Sequence, residues 1–354
     1  MNEALRMEYP RPDRVRGAWC TLNGQWDFAF DQNKVGKKEK WYRELPATHK
    51  IEVPFCYQSK LSGIECLDHC DVVWYARKIT VPADMTARRL LHFGAVDYIA
   101  DVWLDGQYLG GHEGGYTPFT FDVTDLTVPG GEYTLTVRAE DRLDFDQPRG
   151  KQSFRPEPFE CWYTPVTGIW QSVWLEAVPE RHIRAVRITP DLTGIALQVD
   201  SDAAHCDVTI RFAGAEVVHA SFALTDKPFR IDLPEAHRHL WTPDAPHLYD
   251  MTIRAGADTA ESYFALRTVD IRGDAKGVRR ICLNGAPVFL NGVLDQGYFP
   301  EGIFLPETPE AYEEDVRRMK ALGFNLLRKH IKVEPEAFYH ACDRLGMLVM
   351  QDMV

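Results

Sequence analysis

Residues 283–354 carry one pattern twice over, and that repeat limits the chain more than any other stretch. Val288-Phe289-Leu290-Asn291-Gly292-Val293 is an apolar run of the kind that forms a strand buried on both faces, followed by a polar, aromatic loop over residues 295–307. Thr308 and Pro309 then supply an N-cap and a first-turn proline. Tyr312, Val316, Met319 and Leu322 recur at helical spacing, and Gly323 sits where a glycine ends a helix. The unit repeats: Phe324-Asn325-Leu326-Leu327-Arg328 reads as a strand, and Pro335 opens a helix with Phe338, Ala341, Cys342 and Leu345 on one face. Gly346 closes that helix, and Met347-Leu348-Val349-Met350 is a third strand. Strand, helix, strand, helix, strand predicts right-handed crossovers and parallel pairing.

Two such units are about a third of a (β/α)8 barrel, which needs roughly 250 residues. The expectation is a barrel begun within the 354 residues and not closed by them. In that architecture the chemistry sits on the loops after the strands. The polar residues there are Asp295 and Gln296, Arg328 and His330, and Gln351 and Asp352; each also reads simply as half of an ion pair on the rim. Three parallel strands covered on one side leave apolar faces and edges open. Self-association through residues 283–354, or disorder of that segment, is expected.

Upstream the chain reads as β throughout. Val96, Tyr98, Ala100, Val102 and Leu104 alternate with Asp97, Ile99, Asp101, Trp103 and Asp105, and Asp105-Gly106 supplies a hairpin turn. Tyr133 to Ala139 and Ile169 to Leu175 give two more alternating strands, so a jelly-roll sandwich is expected over residues 1–180. Within it, residues 141–167 lack strand pattern but hold Asp144, Asp146, Gln147, Arg149, Lys151, Gln152, Phe154, Trp162 and Tyr163. An aromatic-rich connection of that length is functional or packed, not disordered. Its ring faces and polar groups suit a sugar, with Asp146, Arg149 and Gln152 as candidate contacts. Residues 181–271 carry about seven short alternating strands, which suits an immunoglobulin-like sandwich acting as a spacer. Residues 272–354 form the barrel segment.

A formal charge of −12 excludes a phosphate-backbone partner, since nucleic-acid binding needs clustered cations. No run of about 18 apolar residues marks a membrane span, and the first ten residues lack the apolar core of a signal peptide, so a cytoplasmic location is expected. Eight scattered cysteines fit reduced thiols in that compartment. Cys66, His69 and Cys70 are the closest approach to a metal site, but a matching second ligand pair is not evident. No cofactor or metal is expected.

The order of several motifs resembles glycoside hydrolase family 2, the β-galactosidases, β-glucuronidases and β-mannosidases. They are Asn23-Gly24-Gln25-Trp26, Trp74-Tyr75-Ala76-Arg77-Lys78, Phe93-Gly94-Ala95-Val96-Asp97 and the stretch from Gly110 to Phe119. Thr167-Gly168-Ile169-Trp170-Gln171, Trp241-Thr242-Pro243-Asp244-Ala245-Pro246-His247-Leu248-Tyr249 and the barrel start complete the set. The resemblance implies a sugar-binding jelly roll, an immunoglobulin-like domain and a catalytic barrel. It also implies a retaining exo-β-glycosidase acting on terminal β-glycosides of β-galactoside type, in which one carboxylic acid protonates the leaving oxygen and a second carboxylate attacks the anomeric carbon.

In the family those two glutamates follow the fourth and seventh barrel strands, so neither is assigned within the 354 residues and the fragment is expected to be inactive. Arg328 and His330 fall on the family's Asn-x-x-Arg-x-x-His strand motif, with the His one place early, and Asp295 falls where the first barrel loop carries a His or Asp beside the sugar. A non-catalytic carbohydrate-binding or scaffold protein is the competing reading.

Overall fold

The computed structural model describes residues 6–354, and these are mainly β with helices confined largely to the C-terminal segment. Two antiparallel sheets make up the first sandwich. The larger has six strands in the order His49–Val53, Gly24–Phe30, Val72–Thr80, Glu132–Glu140, Ile99–Leu104 and Gln107–Glu113. The smaller has Trp19–Thr21, Val173–Val178, Arg88–Phe93 and Phe119–Asp122. Trp26, Phe28, Tyr75, Val102 and Val137 from one sheet meet Leu91, Phe93, Val173 and Leu175 from the other in a single core. The central strands are covered on their outer face as well: Trp74 and Trp103 stack at 5.4 Å, and Tyr42 stacks on Trp103 at 5.3 Å.

That outer layer corrects the expected alternation. The stretch from Val96 is two strands, Val96–Asp97 and Ile99–Leu104, and both Trp103 and Asp101 on its supposed polar face are buried. Asp101 is held there by Arg138 at 3.3 Å and Lys37 at 2.7 Å. The Asp105-Gly106 turn joins the last two strands of the sheet as expected.

Residues 183–264 form a second pair of antiparallel sheets of three and four strands around their own core, including Ile195, Val208, Tyr249, Met251 and Ile253. A short antiparallel sheet, Val269–Gly273, Arg279–Leu283 and Ala286–Pro287, leads into the last segment.

There the chain forms three parallel strands, Gly292–Asp295, Leu326–Lys329 and Leu348–Gln351, linked by helices Glu310–Ala321 and Glu336–Leu345. Tyr312, Val316, Leu327, Phe338 and Met347 bury the helices against one face of the sheet. The first strand starts later than the apolar run suggests. Val288 donates its N–H to Ile281 and packs near Trp241, so the run closes the preceding sheet before the parallel strand begins. Nor is that run buried on both faces: Phe289 is 84% exposed. The first helix starts at Glu310, with Pro309 in the cap position and no side-chain cap. Gly346 ends the second helix in the left-handed region, and a Cβ there would lie 2.3 Å from the Pro243 carbonyl, so the position excludes any other residue.

Candidate functional site

Parallel register places Asp295, Lys329 and Gln351 side by side at the ends of the three strands. Because successive side chains alternate across a sheet, Lys329 points under the helices while Arg328 points to the open face. Lys329 is 1% exposed and lies 4.1 Å from the Phe338 ring centre. Its ammonium meets Asp295 and Glu334, each at 2.8 Å. Arg328 instead bridges to Asp352 through two contacts, at 3.1 and 3.0 Å. His330 donates its backbone N–H to the Asp295 carbonyl at 2.8 Å, so the loop after the second strand is tied to the end of the first.

Four residues after Arg328 comes a buried lysine that the sequence reading passed over. Lys332 donates to the carbonyls of Gly297 and Phe304, both at 2.6 Å, and pairs with Glu334 at 2.9 Å. Rings of Phe304, Trp170 and Phe299 surround it. Two of its protons therefore pin residues 297–304 and the third meets the Glu334 carboxylate. Burial pulls the Lys332 ammonium down to about 8 against the opposing pull of Glu334. Burial also acts downward on Lys329, but Glu334 and Asp295 outweigh it and the group is raised. Glu334 is pushed up by burial, yet its two lysines hold it below the usual carboxylate range. Tyr339 donates to Gln351 at 2.6 Å, and Gln351 donates to the Lys332 carbonyl at 2.9 Å, which extends the network to the third strand.

The 141–167 connection of the first sandwich reaches this rim. The Gly150 backbone packs on the Ile331 carbonyl so closely that a Cβ would sit 2.1 Å away, and the Tyr163 and Tyr298 rings meet edge-on at 4.7 Å. Phe304 and Leu305 from the loop after the first parallel strand enter a small core with Phe55, Val166 and Trp170 of the sandwich.

Of the three candidate sugar contacts on the connection, two face inward. Arg149 is buried and bonds Asp141 at 2.8 Å; Gln152 donates to Asp97 at 2.7 Å and accepts from the Val166 N–H at 2.6 Å. Burial and the charge of Asp141 raise the Asp97 carboxyl well above its ordinary range. These side chains shape the connection from beneath, and their hydrogen-bonding groups are largely spent on protein. Asp146 is exposed. Asp295, Arg328 and His330 thus share the strand-end rim, with the Asp295 carboxylate on the helix side against Lys329 and Arg328 on the open face against Asp352, while Arg149 and Gln152 belong to a buried scaffold under the adjoining loop. The sequence signal for Lys332 and Glu334 was faint: charged residues beside a proline look like a solvated turn until a second domain covers them.

Among the described residues no group of three or more His, Cys, Asp or Glu side chains is arranged to hold a metal ion. His69 is paired with Asp71 at 3.0 Å, and the Cys70 thiol donates to the Val72 carbonyl. Among the described residues no helix is long and apolar enough to cross a membrane.

Residues 20–179 match the family described as "Glycosyl hydrolases family 2, sugar binding domain". A β-galactosidase of Thermoanaerobacter pseudethanolicus is 27% identical over 94% of this chain and 44% of its own length. A β-glucuronidase of Felis catus is 26% identical over 99% of this chain and 59% of its own length. Among solved structures, the Faecalibacterium prausnitzii β-glucuronidase superposes with a TM-score of 0.80 at 30% identity, over 97% of this chain and 60% of that one. The apo β-glucuronidase of Ruminococcus gnavus shares the fold, with a TM-score of 0.81 at 22% identity over 99% of this chain and 61% of that one. The chain spans about half the length of the curated relatives it matches.

Proposed function

Since the chain carries the sugar-binding N-terminal domain of glycosyl hydrolases family 2, we propose that it is the N-terminal portion of a retaining exo-β-glycosidase acting on terminal β-glycosides, β-galactosides first among them. The observation that carries this reading is the meeting of two parts: a rim of parallel-strand ends holding Asp295, Arg328 and His330, and a sandwich connection packed against that rim at Gly150 and Tyr163. Residues 1–180 are the jelly-roll domain, 181–271 the immunoglobulin-like domain and 272–354 the opening of the (β/α)8 barrel. The parallel strand–helix alternation and the two separate sandwich cores support that division.

Asp295, Arg328 and His330 line the sugar subsite, with Asp146 at its exposed margin. Arg149 and Gln152 serve it indirectly, by holding the connection in place. The 354 residues bind glycosides without cleaving them. Hydrolysis with retention needs two carboxyl groups roughly 5 Å apart with one free to attack, and the strand-end carboxylates Asp295 and Asp352 are both occupied, by Lys329 and Arg328.

The test is to incubate the protein with aryl β-galactoside, β-glucuronide and β-mannoside, measuring both turnover and binding. Saturable binding with no turnover is expected. Robust turnover overturns the reading of the fragment as non-catalytic, and absence of binding to all three overturns the carbohydrate reading.

A further inference from the structure

Arg149 and Gln152 turn inward beneath the 141–167 connection, but its aromatic rings reach the surface. Phe145 is 82% exposed, and its ring lies 4.4 Å from that of Phe154. Phe154 in turn meets Phe159 at 4.9 Å and Trp162 at 5.8 Å, and these three residues are half-buried. A lone exposed aromatic residue is ordinary in a folded protein. Four in mutual contact form an apolar patch of the kind that marks a binding surface.

The backbone beneath the patch is held in place. Phe159 and Trp162 exchange two main-chain hydrogen bonds, at 3.2 and 2.9 Å. The Ser153 hydroxyl accepts from the Arg155 N–H and donates to the Glu157 carbonyl, both at 2.9 Å. On the Phe145 side, the buried Arg149 donates to the Asp144 carbonyl at 3.0 Å. The rings therefore sit on a preorganised loop, which lowers the entropic cost of capturing a ligand.

The patch is continuous with the strand-end rim. Trp162 is followed by Tyr163, whose ring meets that of Tyr298 in the loop after the first parallel strand. The Lys151 ammonium links the two, 5.3 Å from the Trp162 ring centre and 5.6 Å from that of Tyr163.

The side chains of the patch select its occupant. Three of the four are phenylalanine, which has no hydrogen-bonding atom, and Arg149 and Gln152 beneath them are spent on Asp141 and Asp97. A sugar ring laid on this surface would desolvate hydroxyl groups without giving them partners. A planar aromatic ring loses nothing of that kind and gains ring-on-ring contact. The Arg155 guanidinium, 4.1 Å from the Phe159 ring centre, adds a flat and weakly hydrated face to the same surface.

We propose that Phe145, Phe154, Phe159 and Trp162 form a binding platform for a planar aromatic ring, that of an aryl leaving group whose sugar occupies the rim. The assignment to a leaving group rests on the carbohydrate reading above; the capture of an aromatic ring by the platform stands without it.

Isothermal titration calorimetry on the 354-residue protein tests this, with Phe145→Ser and Phe145→Trp as variants. The probes are 2-naphthyl and methyl β-D-galactopyranosides, the corresponding β-D-glucuronides, and free 2-naphthol. Phe145 is mostly in solvent, so neither substitution threatens the fold. Expected is a Kd about tenfold lower for a naphthyl glycoside than for the methyl glycoside of the same sugar, on the scale of stacked aromatic rings. Phe145→Ser should reduce that preference to about twofold or less and weaken 2-naphthol binding, whereas Phe145→Trp, which keeps a ring there, should retain both.

Four results overturn the proposal: no preference for the naphthyl glycoside in the parent protein, an undiminished preference in Phe145→Ser, 2-naphthol binding that Phe145→Ser leaves intact, or loss of self-association in Phe145→Ser by sedimentation velocity, which makes a second copy the occupant. If no glycoside binds while 2-naphthol binding still depends on Phe145, the carbohydrate reading falls and the platform stands, so the two fail separately.

Discussion

Arg16 grips Asp258 with two hydrogen bonds, Nε to Oδ1 at 3.1 Å and Nη2 to Oδ2 at 2.8 Å, across 242 residues of sequence and with both side chains buried. The same guanidinium reaches Glu176 on the last strand of the first sandwich at 3.1 Å and the Ile183 carbonyl at 2.7 Å. Removing one partner of a buried pair leaves the other charge uncompensated, so Arg16→Met is expected to lower stability by about 3–5 kcal/mol. Arg16→Met combined with Asp258→Leu should lose less than the single change, because no lone carboxylate remains at that position. Urea unfolding monitored by tryptophan fluorescence measures both.

Acid should weaken the fold earlier than carboxylate titration alone explains. His92 is buried beneath Trp174, and that burial lowers its pKa to about 4. The unfolded chain takes up this proton near pH 6.5. Between those values the unfolded state binds more protons than the folded one, so stability falls as pH drops from about 6.5 to 4, by up to roughly 3 kcal/mol. His92→Asn, measured as urea midpoint against pH, should flatten that interval. Burial pushes the Glu176 carboxyl up, but His92, Arg11 and Arg16 outweigh it and hold it far below the usual range. Its contribution is therefore lost only at still lower pH, below about 4.

Glu334→Gln should free the loop that carries the first strand end. The glutamate is the shared counter-ion of Lys329 and Lys332, and its removal leaves the buried Lys332 ammonium without a carboxylate and Lys329 with Asp295 alone. A loss of about 3 kcal/mol or more is expected. Amide hydrogen exchange should accelerate across residues 297–305, which Lys332 pins through two carbonyls, and change little in the second sandwich.

Leu294, Met350 and Met353 stand 50%, 41% and 81% exposed, and Phe289 at 84% lies beside them in the chain order of the same segment. Apolar residues concentrated in one segment beside open strand edges favour association. Sedimentation velocity should show concentration-dependent self-association that weakens in Leu294→Lys/Met350→Lys. A monomer at all concentrations in the parent protein would contradict it.

What the sequence disclosed was governed by how local the signal was. Gly323 and Gly346 marked both helix ends, and the parallel repeat was readable because helix caps and apolar periods act over a few residues. Arg149 and Gln152 looked like sugar contacts because composition does not tell an exposed polar group from a buried one; only the fold shows Asp141 and Asp97 claiming them. Lys332 was invisible for the same reason in reverse. Its partners, Gly297, Phe304 and Trp170, come from distant parts of the chain, and nothing within ten residues hints that an ammonium ion will be enclosed. The apolar run from Val288 misled over where the first strand begins because two sheets compete for it, and hydrophobicity alone does not choose between them.

The arm that carries Tyr9, Arg11 and Arg16 bonds to a glutamate in one sandwich and an aspartate in the other. Neither sandwich can then be treated as an interchangeable module. A chimera that imports either one from a relative inherits half a clasp, and will keep its native orientation only if residues 9–16 are grafted from the same donor as both acidic partners.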